Sequence, residues 1–156
     1  MEKQLFIVRE DDVTDPQTLE LLALHLSGMR ADSPAGNVFA LDLSGLRVPE
    51  VTVWSAWSAS KIASIGALKI LPDGNGEVKS MRTHPDFIRK GAATVILEHV
   101  ISTARARGLQ RLSLETGSGA KFEAALALYR RKGFRFGEPF ANYQANGFSQ
   151  FFHLDF

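Results

Sequence analysis

The sequence contains no cysteine, and this absence excludes several kinds of chemistry at once. Without a thiol, the chain cannot form a disulfide, use a thiolate nucleophile or bind a metal through sulfur. The sequence also lacks an apolar run long enough to cross a bilayer, and its first residues lack the apolar core of a secretory signal. We therefore expect a soluble, cytoplasmic protein that makes no membrane contact.

Net charge is nearly absent as well. Lysine and arginine number 18 against 17 aspartate and glutamate residues, which leaves a formal charge of +1. This balance argues against a broadly basic surface for nucleic acid, although a local cluster of cations can still bind an anionic small molecule. The four histidines are scattered without the spacing of metal ligands, so no metal is predicted. The length of 156 residues and the 45% hydrophobic content are typical of one globular domain, residues 1–156.

Short apolar runs separated by turn residues predict seven strands. They are Leu5–Val8, Val51–Trp57, Ile62–Leu71, Glu77–Thr83, Arg111–Glu115, Phe134–Tyr143 and Phe148–Phe156. The second to fourth strands are separated by short polar turns, which indicates an antiparallel meander. Asn146-Gly147 predicts a tight hairpin turn between the last two strands. Trp54 and Trp57 are three residues apart, so we expect them on opposite faces, one in the core and one lining a substrate cavity.

Apolar residues at helical spacing predict three helices. The first begins at Asp15-Pro16 and reaches the polar stretch after Gly28, with a short turn after it at Val38–Leu43. The others cover Gly91–Arg107 and Lys121–Lys132. Because one of these helices joins the fourth and fifth strands, those two strands are predicted to be parallel, through a right-handed crossover. The order of elements is that of an α+β protein.

The turn before the Gly91 helix carries cations where a helix favours anions. Arg89 and Lys90 lie at the positive end of the helix dipole. Gly91 would let a ligand come close to backbone N–H groups, and amides, dipole and cations together predict a phosphate site. The alternative is a helix start in which Gly91 serves packing and both cations are solvated.

Three segments resemble those of the GNAT acyltransferase superfamily, whose members transfer an acyl group from acyl-CoA to an amine. Residues 88–93 resemble its phosphate loop, with Ile88 where a polar residue is usual. The strand before that loop resembles the strand along which pantetheine lies. Ala125–Phe134 is similar to the Ala-x-x-Leu-Tyr-x-x-x-Gly-Phe pattern. The resemblance implies a mixed, mainly antiparallel sheet of about seven strands with flanking helices and a splayed central parallel pair.

The resemblance also implies roles for individual residues. Glu77 would take the proton of the attacking amine, directly or through water; the alternative is a glutamate that opens a strand and faces solvent. Tyr129 would protonate the departing thiolate; the alternative is a core stripe with Phe122 and Leu126. Phe122 stands where the family often has an asparagine. CoA binding is implied for Met81, Arg82, Thr83, Arg89, Lys90, Gly91, Ala92, Ala93 and Thr94.

Together these features predict an N-acetyltransferase that uses acetyl-CoA as co-substrate and no metal. The acetyl group would pass directly to the amine of a small molecule or peptide in a ternary complex, without a covalent enzyme intermediate. The rival hypothesis is a CoA-binding sensor or regulatory module without turnover. Arg30 or Arg47 would bind an acidic acceptor, or they are solvated surface residues. A homodimer is common for this fold, which makes a second copy a candidate partner.

Overall fold

The computed structural model describes the backbone of residues 5–32 and 43–156, and the side chains of those residues outside 26–32 and 43–44. Within these ranges, seven strands form one sheet in the order β1-β2-β3-β4-β5-β7-β6. They are β1 Ile7–Asp11, β2 Val51–Ser58, β3 Lys61–Ile70, β4 Gly76–Thr83, β5 Arg111–Thr116, β6 Arg135–Phe136 and β7 Gln150–Asp155. All neighbouring strands pair antiparallel except β4 and β5. The predicted α+β fold, with its central parallel pair, is confirmed.

Among the described residues, four α-helices flank the sheet. They are α1 Pro16–Asp32, α2 Leu43–Leu46, α3 Ala92–Ala106 and α4 Glu123–Arg131. Asp15 begins α1 as predicted, because its side chain accepts a 2.9 Å hydrogen bond from the backbone N–H of Gln17. Most of the turn predicted at 38–43 lies outside the described residues. Over the part of the chain that the structure describes, no helix has both the length and the apolarity needed to cross a bilayer.

The two faces of the sheet carry separate cores. Helices α3 and α4 cover one face, where Leu68, Ile96 and Leu112 are buried together with Trp54. Helix α1 covers the opposite face, which buries Trp57 in a second cluster. The two tryptophans therefore face opposite sides, as predicted. Both are buried in cores, and neither lines the cavity described below.

The last two strands pair antiparallel, as a hairpin requires, but the predicted strand length and the tight turn at Asn146-Gly147 are wrong. Only Arg135–Phe136 of the predicted Phe134–Tyr143 strand pairs with β7, and residues 137–149 form a loop, here called the 137–149 loop. Pro139 cannot donate to a ladder, and Gly137 lies so close to His153 that an added Cβ would be 2.6 Å from its ring. Asn146 closes a turn within the loop by accepting hydrogen bonds from the N–H groups of Phe148 and Ser149.

Candidate active site

The parallel strands β4 and β5 separate soon after they meet. They pair only at Gly76 with Leu112 and at Glu77 with Ser113. Beyond this point β4 pairs with β3 alone, and β5 with β7 alone. The β5-facing edge of β4 therefore has backbone groups that an extended ligand can use for hydrogen bonds. The three residues expected along the pantetheine arm lie on this edge and are half-buried: Met81, Arg82 and Thr83.

Ser80 marks a bulge at the point where the strands have separated. Its φ is 57°, in the left-handed region that a side chain disfavours, and the β3–β4 register shifts between Ile65 and Ala67. Its hydroxyl is buried and has no hydrogen-bond partner among the described residues. Strained backbone and unpaired buried polar atoms are commonest at ligand-binding sites. Sequence reasoning missed this residue, because a serine within a strand gives no local signal.

The start of α3 has the features of an anion site. Gly91 adopts φ 86°, and no acidic residue lies in the first turn of the helix. The first helical amides are accompanied by Arg89 and Lys90, both exposed. An added Cβ on Gly91 would meet no atom within 4 Å. Glycine is therefore needed here for its backbone conformation and not because neighbouring atoms leave no room for a side chain. The structure thus brings residues 89–94 together at the helix N-terminus, and phosphate binding there stays a prediction.

Glu77 lies in a buried, charged cluster rather than in solvent. Its side chain is on β4, and the residue is only 3% exposed, so the solvent-facing alternative is wrong. Its Oε2 accepts hydrogen bonds from Lys79 Nζ at 3.1 Å and from the Tyr143 hydroxyl at 2.6 Å. Lys79 also donates to the Tyr143 oxygen at 2.8 Å, which closes a ring of three side chains. We call these three residues the Glu77 cluster.

Tyr143 enters this cluster from the 137–149 loop. Burial is the main reason that the pKa of its hydroxyl is raised, and the charge of Glu77 adds to the effect. The hydroxyl is therefore a hydrogen-bond donor throughout the physiological pH range. Sequence reasoning placed Tyr143 at the end of a strand, in a hairpin expected to help shape the acceptor site. It gave Tyr143 no role of its own, since the contact with Glu77 spans 66 positions.

Glu115 is a second carboxylate near this cluster, on β5. It is half-buried, and burial raises its pKa to about 7. The charge of Lys79 partly offsets that shift, whereas the charge of Glu77 adds to it. The available signal was a carboxylate near the end of the strand predicted to run parallel to the Glu77 strand, and the sequence analysis did not use it.

Tyr129 is anchored on α4 in the main core. It is 7% exposed, and its ring contacts that of Phe134 edge to face at 5.9 Å. Leu126 is buried in the same cluster and Phe122 packs against it, so these residues do form the core stripe that was the alternative to a catalytic role. Burial raises the pKa of Tyr129 to about 12, and the charge of Glu115 is the second cause. The catalytic role of Tyr129 stays a prediction.

A cavity of about 760 Å³ opens beside the Glu77 cluster. Apolar side chains of Val48, Ile70 and Leu71 form part of its wall, and Glu50 and Lys69 contribute charges. Arg47 is exposed and donates to the backbone oxygen of Val13 at 2.6 Å, rather than lining the cavity. The Arg30 side chain lies outside the described residues. Within the described ranges, no group of three or more acidic or histidine side chains could hold a metal ion.

Comparison with known proteins gives one consistent family. Residues 18–134 match the family model described as acetyltransferase (GNAT) family. The uncharacterized N-acetyltransferase YedL of Escherichia coli is 47% identical over 150 residues, which span 96% of this chain and 94% of that protein.

Solved structures agree with this match. A candidate acyl-CoA N-acyltransferase of Klebsiella pneumoniae superposes with a TM-score of 0.81 at 25% identity, covering 98% of this chain and 99% of that one. A Bacillus subtilis acetyltransferase in complex with CoA superposes with a TM-score of 0.72, covering 97% and 99%. At 16% identity, this second likeness concerns the fold alone.

Proposed function

The chain belongs to the acetyltransferase (GNAT) family, and on that premise we propose that it transfers an acetyl group from acetyl-CoA to the amine of a small molecule or peptide. The observation that carries the proposal is the early separation of β4 and β5. The separation leaves a slot between a cationic helix start and the buried Glu77 cluster. A cytoplasmic location belongs to the same proposal.

Acetyl-CoA fits this arrangement along β4. The amides of residues 89–94, with Arg89 and Lys90, would hold the diphosphate at the positive end of α3. The edge formed by residues 81–83 would pair with the pantetheine arm, which leaves the thioester near the Ser80 bulge. The fold is known to hold CoA in the Bacillus subtilis acetyltransferase. No metal is required for any step.

The chemistry proposed is direct transfer in a ternary complex. A protonated amine cannot attack a thioester, so Glu77, or a water that it holds, takes a proton from the acceptor. Strand amides near Met81 polarise the thioester carbonyl. Because the acetyl donor and the acceptor are both bound, they do not have to meet by diffusion before they react. Tyr129 protonates the CoA thiolate as it leaves. The absence of cysteine is consistent with a mechanism that has no thiol acyl-enzyme.

The 760 Å³ cavity is the proposed acceptor site. Glu77 and Lys79 form part of its lining, so an amine bound in it can come next to the carboxylate that must deprotonate it. Apolar walls suit a hydrocarbon or aromatic body behind that amine. The presence of Glu50 and Lys69 in the wall suits an acceptor with polar groups of either sign.

The second candidate is a CoA-binding sensor without turnover. It is favoured by two departures from the family pattern, namely Ile88, which is 56% exposed at the phosphate loop, and Phe122 in place of asparagine. Calorimetric titration with acetyl-CoA tests both candidates, since the lack of saturable binding would eliminate them together. CoA release against a panel of amines, amino acids and peptides separates them. Turnover that falls in Tyr129→Phe and Glu77→Gln supports the enzyme, whereas binding without any turnover supports the sensor.

A further inference from the structure

Lys69 brings a positive charge into the wall of the 760 Å³ cavity. It lies near the end of β3 and is half-buried. Among the described residues, its ammonium makes no ion pair and no side-chain hydrogen bond. An ammonium that is partly removed from water is stabilised by an anion beside it. The cavity therefore favours a ligand that carries a negative charge near Lys69.

The strand register makes Lys69 a neighbour of the candidate base. Lys69 pairs with Glu77 across the antiparallel strands β3 and β4. Directly paired residues lie on the same face of a sheet, with Cβ atoms about 5 Å apart. The register runs unbroken from Ala67 of the second core, so alternation puts Lys69 and Glu77 on the face that carries this core. A candidate base and a cation thus lie side by side in one cavity.

The carboxylates near Lys69 do not neutralise it. Glu77 Oε2 accepts hydrogen bonds from Lys79 at 3.1 Å and from Tyr143 at 2.6 Å, so its charge is already offset by another lysine. Glu50 is the other acidic residue of the cavity wall, but it is exposed and forms no ion pair with Lys69. Solvent screens a charge in that position. The positive charge of Lys69 is therefore available to a ligand.

The rest of the wall suits an apolar body with one more polar contact. Val48, Ile70 and Leu71 supply apolar surface. The 137–149 loop contributes Asn142, which is exposed and whose side-chain amide makes no hydrogen bond within the described ranges. A small molecule with an amine, a carboxylate and an apolar group would find a matching partner for each.

We propose that the acceptor is a free α-amino acid with an apolar or aromatic side chain, whose carboxylate binds Lys69 while its amine lies beside Glu77. The inference rests on the proposed acetyltransferase function. An α-amino acid carries its nitrogen and its carboxylate on one carbon, which fits two neighbouring side chains of opposite charge. Its own side chain would pack against the apolar wall.

The transfer to such an acceptor is balanced. A bond forms between the amino nitrogen and the acetyl carbon, and the C–S bond of acetyl-CoA breaks. The ammonium form of the amino acid gives up two protons, of which one ends on the CoA sulfur and the other passes to solvent. The product is an N-acetyl amino acid that keeps its carboxylate.

The test measures kcat/KM for leucine, phenylalanine and tryptophan, and for the amide of each, with wild type and with Lys69→Met. An amide keeps the amine and the side chain but lacks the carboxylate charge, as does the N-terminal residue of a peptide. Comparing both proteins on the same pair of substrates cancels the difference in basicity between the two amines. Lys69→Met should lower kcat/KM about 10- to 100-fold for the amino acids and less than about twofold for the amides.

Two further variants separate the charge of Lys69 from its place in the fold. Lys69→Arg keeps a cation and should recover part of kcat/KM for the amino acids. Lys61→Met is the matched control, because it removes an exposed lysine from the other end of β3. This control should behave as wild type does with both classes of substrate.

Each contrary result has a distinct meaning. If wild type acetylates amides or other amines but none of the amino acids, the acceptor assignment is overturned while the proposed function stands. Unchanged kcat/KM for the amino acids in Lys69→Met overturns it as well, and so does an equal loss for amino acids and amides, which would make Lys69 structural. If wild type binds acetyl-CoA but acetylates no amine at all, the proposed function fails, and the acceptor assignment fails with it.

Discussion

The hydroxyl of Tyr143 donates a 2.6 Å hydrogen bond to the carboxylate of Glu77, across 66 positions of sequence. This contact ties the 137–149 loop to β4 at the point where β4 still pairs with β5. A second anchor holds the same loop, because His153 Nε2 lies 2.8 Å from the backbone oxygen of Glu138. The loop and the candidate base are thus parts of one structure.

Removing the Tyr143 hydroxyl should destabilise the fold. Tyr143→Phe leaves the buried Glu77 carboxylate and the Lys79 ammonium each without one partner. We expect the free energy of unfolding to fall by about 1–3 kcal/mol, measured by urea denaturation. Phe140→Leu, which changes an aromatic side chain of the same loop without touching a hydrogen bond, is the comparison variant. Equal stability of Tyr143→Phe and wild type would mean that the contact is not a stabilising one.

The Tyr143→Phe variant also allows the ionisation of Tyr129 to be measured by itself. The chain has two tyrosines, so Tyr143→Phe makes Tyr129 the only one. The charge of Glu115 helps to raise the pKa of Tyr129 to about 12, so adding Glu115→Gln should lower that pKa. Ultraviolet titration of tyrosinate in the two backgrounds measures the difference. A Tyr129 pKa that does not move would show that the charge of Glu115 does not act on Tyr129.

Cations at the start of α3 should govern acetyl-CoA affinity. Arg89→Ala or Lys90→Ala removes a charge next to the proposed diphosphate site. Each change should weaken acetyl-CoA binding roughly 3- to 10-fold, and the loss should shrink as salt is added. Arg105→Ala, in the last turn of the same helix, should bind as wild type does. Calorimetry at two salt concentrations distinguishes these outcomes. If all three variants bind acetyl-CoA as tightly as wild type, the proposed diphosphate site is wrong.

His25 should make the protein sensitive to acid. Burial is the main reason that the pKa of His25 falls from 6.5 to about 4, with the charge of Arg82 as the second cause. The His25 imidazole therefore binds a proton less readily in the folded protein than in the unfolded chain. The stability that comes from keeping His25 neutral is complete above pH 6.5 and declines as the pH falls towards 4. The decline should amount to about 3 kcal/mol.

The matching experiment is urea denaturation of His25→Leu at several pH values. The variant has no imidazole to protonate. The difference in unfolding free energy between His25→Leu and wild type should therefore change by most of these ~3 kcal/mol between pH 6.5 and about 4. His99→Gln is the control, since His99 is exposed on α3. A constant difference between His25→Leu and wild type over this range would refute the assignment.

Local chemistry made much of the site predictable. The positions of Arg89, Lys90 and Gly91 follow from turn and helix-start preferences within a few residues. The parallel pairing of β4 and β5 follows from the length of their crossover. Glu77 and Tyr129 came from the family resemblance, and the structure buries both of them.

What the sequence concealed depends on distant contacts. The strand predicted through Tyr143 has the right composition, but Gly137 packs against His153 and the chain leaves the sheet there. The raised pKa of Glu115 depends on how deeply its side chain is buried and on the charges of Lys79 and Glu77. Neither property is set by the neighbours of these residues in sequence.

The most direct test of the acetyltransferase assignment is a mass measurement of acceptor amines after incubation with the protein and acetyl-CoA. The account predicts at least one amine that gains one acetyl group for each CoA released, with a lower rate in Tyr129→Phe. Saturable acetyl-CoA binding without an acetylated product from any amine of the panel would contradict it.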